Sequence, residues 1–391
     1  MNKSIKLATM IMCSATIGAG CTSGDKGSAN YGEDKSFLKE YLELVELTDG
    51  DKRVLLTPDY QGRVMTSSAE GEDGKSFGWI NRKLISSGEV LPHCNNWGGE
   101  DRMWIGPEGG QFAYYFPSTE SFDFEKWQVP SIIDTDKWIT LSHGEKQATF
   151  GTTTSLTNAS GAIFNFKLER TVSLLNDKQV EDMIGADIPA GCSSVGFRSE
   201  NRVFNIGMRA WNKETGAPSI WILGQFISSP ENHVVIPTRG DGRIVDNYFG
   251  EIPAERLSKK GDCYYFKADG KLRGKIGTPP ESTLPMAFSL DREGGLLTIV
   301  SFSFDETATD YVNSQWAMQE EPFKGDVINA YNDGPLEDGT IMGGFYEIET
   351  SSKALFLKSG ESHEHTHNTI HIKGDVAVLE ALMNELVSKL K

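Results

Sequence analysis

Long apolar runs are scarce in this chain of 391 residues. The one near the start, Leu7–Ile17, is shorter than the ~18–20 residues that span a bilayer, and no later segment approaches that length, which excludes a polytopic membrane protein. Positive charge is also short. Lys and Arg number 38 against 55 Asp and Glu, a formal charge of −17. Nucleic-acid phosphates attract the opposite balance, so a nucleic-acid partner is not expected. There are only 5 cysteines, of which Cys94, Cys192 and Cys263 lie beyond the N-terminal segment. Three thiols allow one pair at most, and their spacing fits neither a zinc ribbon nor a CxxC redox site. Regular strand–helix alternation and fixed-period repeats are missing too, which argues against a doubly wound enzyme or a solenoid.

Glycine, by contrast, is plentiful at 41 residues. Gly, Asn, Asp and Pro punctuate the body of the chain between short alternating segments. Arg53–Thr57, Arg63–Ser67, Ala148–Leu156, Ala162–Leu174, Val195–Arg198, Ser219–Ile227, His233–Ile236, Cys263–Ala268, Leu296–Phe304, Gly344–Thr350, Ala354–Leu357 and Glu364–Ile372 read as strands. Phe37, Leu38, Tyr41, Leu42 and Val45 have helical spacing and predict a short helix over Ser36–Glu46. Val376, Leu379, Leu382, Met383, Leu386 and Leu390 predict a second over Asp375–Leu390, packed outside a sheet. The expected fold is therefore all-β, a large antiparallel sandwich with a short helix at each end.

The first residues have a separate logic. Lys3 and Lys6 precede the apolar run, and Gly18-Ala19-Gly20 precede Cys21. Small residues before a cysteine resemble a lipobox, so residues 1–21 are read as a lipoprotein signal with Cys21 as the acylated residue. Residues 22–35, rich in Ser, Gly, Asp and Lys, read as a flexible tether, and 36–391 as one domain. The implied location is exported and lipid-anchored in the cell envelope, at the outer membrane on its periplasmic or surface face, with the membrane touched only through the lipid.

Four stretches carry chemistry. Between Pro92 and Gly110 stand Asn96, Trp97, Glu100, Arg102 and Trp104. Indole faces beside carboxylates and a guanidinium suit a carbohydrate, whose C–H face stacks while its hydroxyls take directional hydrogen bonds. A structural turn holding core tryptophans is the plainer alternative. In Phe345–Thr350 the strand period puts Glu347 and Glu349 on one face and Tyr346 and Ile348 on the other. Two neighbouring carboxylates repel, which raises the pKa of one of them toward the range of proton transfer. The run His363–His371 holds four of the seven histidines; His363, His365 and His367 are weak candidates for a metal, and His365 for an acid at a sugar site. Tyr331, Asn332 and Asp333, followed by Gly334-Pro335, form a turn that can edge a site. These segments are expected to meet in one cleft. No cofactor is implied.

The sequence Phe345-Tyr-Glu-Ile-Glu-Thr350, then Ala354–Glu361 with Ser359-Gly360-Glu361, then His365-Thr-His367, is similar to the C-terminal signature of galactose mutarotase-like proteins. Gly62-Arg63-Val64 after Pro58 resembles the opening strand of that fold. The resemblance implies a β-supersandwich and, in aldose 1-epimerases, a Glu-Thr glutamate as catalytic base, which Glu349 matches by position. It also implies a histidine acid in an Asn-His-x-Tyr-Phe-Asn segment, where this chain has Ile206. Over nearly its whole length the chain is closer still to a family of bacterial lipoproteins with no assigned activity. That family carries the stretches here at Gly98–Gly110 and Tyr331–Pro335. Two functions follow. One is a carbohydrate-active enzyme with Glu349 as base, Glu347 or a histidine as acid, and Arg102 as clamp. The other is a non-catalytic glycan-binding protein using Trp97 and Trp104.

Overall fold

The computed structural model describes residues 30–336 and 339–390, so the expected signal, Cys21 and most of the tether lie outside the described residues. In chain order the elements are α1 (Tyr31–Lys39), β1 (Val45–Asp49), β2 (Lys52–Thr57), β3 (Arg63–Ser68), α2 (Arg82–Ser87) and β4 (Arg102–Gly106). Then come α3 (Ser131–Asp134), β5 (Ile139–His143), β6 (Gln147–Thr157), β7 (Ile163–Leu175), α4 (Asp177–Ile184), β8 (Ser193–Asn205), β9 (Ser219–Ile227) and β10 (Asn232–Pro237). The last are β11 (Leu257–Lys260), β12 (Cys263–Lys267), β13 (Gly274–Thr278), β14 (Met286–Asp291), β15 (Leu296–Phe302), β16 (Ile328–Asn332), β17 (Phe345–Ser351), β18 (Ser362–Lys373) and α5 (Val376–Lys389).

The strands form three antiparallel sheets: β1-β2-β3, a ten-stranded sheet ordered β11-β12-β10-β14-β15-β18-β8-β7-β6-β5, and a five-stranded sheet ordered β13-β16-β17-β9-β4. The two larger sheets face each other, as a mostly antiparallel sandwich requires. β7 shows the rule most plainly. Phe164, Phe166, Leu168, Val172 and Leu174 alternate inward with half-buried polar residues between them. From the opposite side Phe226, Ile276, Ile328, Ala330, Tyr346 and Ile348 of the five-stranded sheet meet Val234, Ile236, Ala287 and Val300 of the large one. On the far side of the large sheet Leu379, Leu382, Met383 and Leu386 of α5 cover Phe288, Leu290, Leu297, Ile299 and Ile372. Asp375 caps that helix, its carboxylate accepting from the Ala377 and Val378 N–H groups.

Two local expectations shift. The N-terminal helix runs Tyr31–Lys39 instead of 36–46, because Asn30 and Glu33 form a reciprocal capping box that starts it early. Val45 and Leu47 are buried on alternate positions and pair with β2. Ala354–Leu357 is not a strand. Its N–H groups at Ala354 and Leu355 donate to Asp310 and Pro218 carbonyls in irregular segments. Among the described residues no disulfide links Cys94, Cys192 and Cys263 to one another. Among the described residues no helix is long and apolar enough to cross a membrane.

Candidate active site on the outer face of the five-stranded sheet

Strand alternation sorts β17 into two sets. Tyr346 and Ile348 turn into the core, which sends Glu347 and Glu349 to the outer face. Register then assembles their neighbours. Glu347 lies opposite Tyr331 of β16 and Gln225 of β9, and Glu349 opposite Asn329 and Leu223. Arg102 of β4 pairs across with Leu223, Trp104 with Trp221, and Lys275 of β13 with Tyr331. Five strands far apart in sequence thus bring two carboxylates, two cations and two indoles onto one surface.

The contacts are short and enclosed. Arg102 Nη2 donates to Glu347 Oε1 at 2.8 Å, and its guanidinium lies 4.7 Å from the Trp104 ring. Glu349 Oε2 accepts from Lys275 Nζ and from Trp221 Nε1, both at 2.9 Å. The side chains of Glu347 and Glu349 are 9% and 1% exposed. Burial is the main force on the Glu347 carboxyl. Arg102 opposes it and Glu349 reinforces it, leaving the pKa raised to about 7. Glu108, just beyond β4, is likewise pushed to about 7 by burial, with Lys275 opposing and Glu349 adding. Burial pulls the Lys275 ammonium down, but Glu349 and Glu108 outweigh it and the net pKa is raised. Lys275 is therefore a fixed cation, whereas Glu347 and Glu108 can carry a proton near neutral pH. Four buried atoms on or beside this face, Glu349 Oε1, Glu108 Oε1, Arg102 Nε and Trp104 Nε1, have no hydrogen-bond partner among the described residues.

The expected residues divide. Asn96 edges the site, its Oδ1 accepting from Gln225 Nε2 at 2.7 Å. Tyr331 faces outward opposite Glu347 and donates to Asp333 at 3.0 Å, while Asp333 also accepts from the Gly343 N–H at 2.8 Å. Asn332 has a scaffolding position. Its side chain ties the Gly270 N–H and the Leu272 carbonyl to β16. Trp97 does not reach the carboxylates; it stacks on Tyr60 at 4.7 Å within the cluster that includes Leu55, Met65 and Leu84. Glu100 is also elsewhere, accepting from Ser67 at 2.9 Å and lying 2.8 Å from His371 Nε2.

The structure also keeps His365 away from Glu349, and strand parity is the reason. Thr350, next to Glu349, points the opposite way, and its hydroxyl lies 2.9 Å from both His365 Nε2 and His367 Nδ1. Burial lowers these imidazoles to about 3 and about 4, so neither is a proton donor at neutral pH. As for the metal candidates His363, His365 and His367, no group of three or more His, Cys, Asp or Glu arranged to hold a metal occurs among the described residues. Lys275 and Trp221 are the members that sequence reasoning left out of the site, while Glu108 closes the Asn96–Glu108 segment expected to line it. Only the alternation of Lys275 with Ile276 in a short glycine-flanked segment hinted at the first.

No curated protein sequence matches the chain. Among solved structures it is similar to the Slr1438 protein of Synechocystis sp. PCC 6803, with 15% identity, a TM-score of 0.50, and coverage of 85% of this chain and 96% of that one. It is also similar to a protein of Escherichia coli K12 provisionally described as an aldose 1-epimerase, with 11% identity, a TM-score of 0.50, and coverage of 85% and 99%. A galactose mutarotase-like protein of Lactobacillus casei ATCC 334 has 9% identity, a TM-score of 0.48, and coverage of 84% and 100%. The Escherichia coli structure bears out the expected aldose 1-epimerase-like fold, and fold alone does not fix activity. Residues 29–389 match a family model, and the chain belongs to that family, DUF6786, a family of unknown function.

Proposed function

We propose that this protein binds a carbohydrate on the outer face of the five-stranded sheet, with Glu347 and Glu349 at the centre of the site. The observation that carries the proposal is the mixture of unused polar valences there. Glu349 Oε1 and Glu108 Oε1 accept, and Arg102 Nε and Trp104 Nε1 donate, beside the indole rings of Trp104 and Trp221. Sugar hydroxyls both donate and accept, and the C–H face of a pyranose packs on an aromatic ring. A bare anion or cation would use only half of this set.

Turnover belongs to the proposal in one specific form. Glu349 Oε1 would take the proton of an anomeric hydroxyl as the ring C–O bond breaks, and Glu347, protonated near neutral pH, would return one to the ring oxygen. A purely binding site is the second reading. It is favoured by the Lys275 and Trp221 contacts, which already occupy one oxygen of Glu349, and by the placement of His365 on the opposite face. Export and a lipid anchor at Cys21 are part of the same proposal. Their support is the apolar run Leu7–Ile17 and the small residues before the cysteine.

A glycan array followed by titration calorimetry, with two-dimensional exchange NMR on free hexoses, tests this. In the catalytic form Glu349→Gln keeps sugar affinity and loses anomer exchange by about 10²–10⁴-fold. In the binding form wild type exchanges no anomers and Glu349→Gln weakens affinity by about 1.5–3 kcal/mol, one charge-assisted hydrogen bond. A blank array, or a ligand whose affinity is indifferent to both Glu349→Gln and Trp104→Ala, overturns the proposal.

A further inference from the structure

A face with Glu349 only 1% exposed and Lys275 15% exposed admits nothing the size of a sugar ring unless something moves. The segment joining β10 to β11 supplies a cover with few fixings. Val245 exchanges two backbone hydrogen bonds with Gly277 of β13, at 2.8 and 2.7 Å, and the Pro253 carbonyl accepts from the Arg256 N–H at 2.8 Å. Between them, among the described residues, no backbone hydrogen bond holds 246–252. Side chains do so instead. The Tyr248 hydroxyl donates to Asp326 and accepts from Asn329 Nδ2 at 3.3 Å, and its ring lies 5.8 Å from Lys275 Nζ. Phe249 packs edge-on against Tyr331, with centroids 5.9 Å apart. Since β13 is an edge strand of its sheet, the segment is bound along one margin only.

We propose that residues 246–252 form an aromatic strap that closes the carboxylate site, latched by the Tyr248–Asp326 hydrogen bond, and that release of this latch uncovers Lys275 and Glu349 to a ligand. The argument is one of asymmetry. The ends of the strap are tied by backbone, so they act as hinges. The middle is tied by side chains: the Tyr248 hydroxyl to Asp326 and Asn329, its ring to Lys275, the Phe249 ring to Tyr331 and to the Arg273 guanidinium 4.2 Å away, and Ile252 to the core. Breaking the hydroxyl contact costs about as much as a hydrogen bond to a charged group, a small fraction of the interactions that hold the sheet. The strap is thus the low-stability element over a rigid floor, the usual property of segments that gate a site. Asp326 is the better half of the latch to perturb indirectly, because Lys275, Asn329 and Glu281 also act on it. At Tyr248 the latch is the hydroxyl, which can be removed while the ring contact with Lys275 stays.

The proposal rests on this face being the ligand site, but its test needs no sugar. Wild type and Tyr248→Phe are compared in two ways. The first is the rate of the chymotryptic cut after residue 248 or Phe249, read by mass spectrometry of the new ends. The second is the rate of Lys275 acetylation by acetic anhydride, read on its tryptic peptide. Phenylalanine keeps the ring, the packing and the protease site and removes only the latch. The expected result is that both rates rise by about tenfold or more, with far-UV circular dichroism unchanged. Equal cutting rates overturn the strap. Faster cutting with unchanged acetylation shows that the strap does not cover the site and overturns the proposal equally. A blank glycan array together with both accelerations would remove the sugar reading and leave the strap standing.

Discussion

Replacing Lys275 with methionine removes the one cation that, among the described residues, lies within 4 Å of Glu349, and keeps most of the stem volume. At 2.9 Å and an effective dielectric of about 20, the gross attraction between the two charges is about 6 kcal/mol. Desolvation offsets much of that. Truncating one member of a buried pair nevertheless costs about 3–5 kcal/mol, because the remaining charge is stranded. Among the described residues Glu349 would be left with Trp221 Nε1 as its single donor. The expected loss for Lys275→Met is therefore about 3–5 kcal/mol in urea unfolding followed by far-UV circular dichroism. Adding Glu349→Gln to Lys275→Met should restore about 2 kcal/mol, since the stranded charge is gone and the neutral amide costs far less to bury. Lys178→Met is the reference. Its partner Asp182 is a helical neighbour, both side chains are more than half exposed, and its loss should hardly register. If Lys275→Met costs no more than Lys178→Met, or if the two changes at Lys275 and Glu349 simply add, the pair does not hold the site as described.

Glu108 supplies a pH test. Its folded-state pKa of about 7 lies above the ordinary 4.5, so the folded protein keeps a proton that the unfolded chain releases. The stability this contributes is fully present below about pH 4.5 and is lost as pH rises through about 7. Wild type should therefore lose about 2 kcal/mol more than Glu108→Gln between pH 5.5 and pH 8.5, read as the difference in urea midpoints. His365 and His367 pull the other way on the acid side, but they are common to both proteins and drop out of the comparison. An identical pH slope in the two proteins would mean that Glu108 is charged and solvated. For the anchor, labelled palmitate should enter wild type and not Cys21→Ala; equal labelling would refute lipidation at that residue.

Much of the fold was legible because the long strands alternate. β6, β7 and β17 follow the polar–apolar period within a residue or two of the expected limits, β9 stands out as a mostly apolar run of nine residues, and α5 presents its apolar stripe where Leu379–Leu386 predicted it. The strands that escaped, such as β4, β13 and β16, are five residues each. They are buried along nearly their whole length, and so show no alternation to read. The site was legible to the same degree. Glu347, Glu349, Arg102 and Trp104 stood out because charge and indole crowd into short segments. Lys275 and Trp221 did not, because what makes them neighbours is the strand order β13-β16-β17-β9-β4, which no local pattern encodes. The histidines misled for a related reason. The period of β17 puts Thr350 on the face opposite Glu349, but nothing local shows that β18 brings His365 and His367 against that face.

Thr350 has a counterpart in Asp101. Each stands next to a residue of the outer site, Thr350 beside Glu349 and Asp101 beside Arg102, and each is tied to the ten-stranded sheet. Asp101 pairs with Arg170 at 2.6 Å and accepts from Ser199 at 2.8 Å, while Thr350 sits between two imidazoles of β18. Apolar layers between sheets resist separation but tolerate sliding, because dispersion has no direction. Directed polar bonds through the layer do not tolerate it. Here they act as two dowels driven through the sandwich, one behind each end of the charge row. The spacing between Arg102–Glu347 and Lys275–Glu349 is thereby set from the rear of the sheet as well as from its face. An interior substitution such as Ser199→Ala, remote from any ligand, would then be felt as a misalignment at the front.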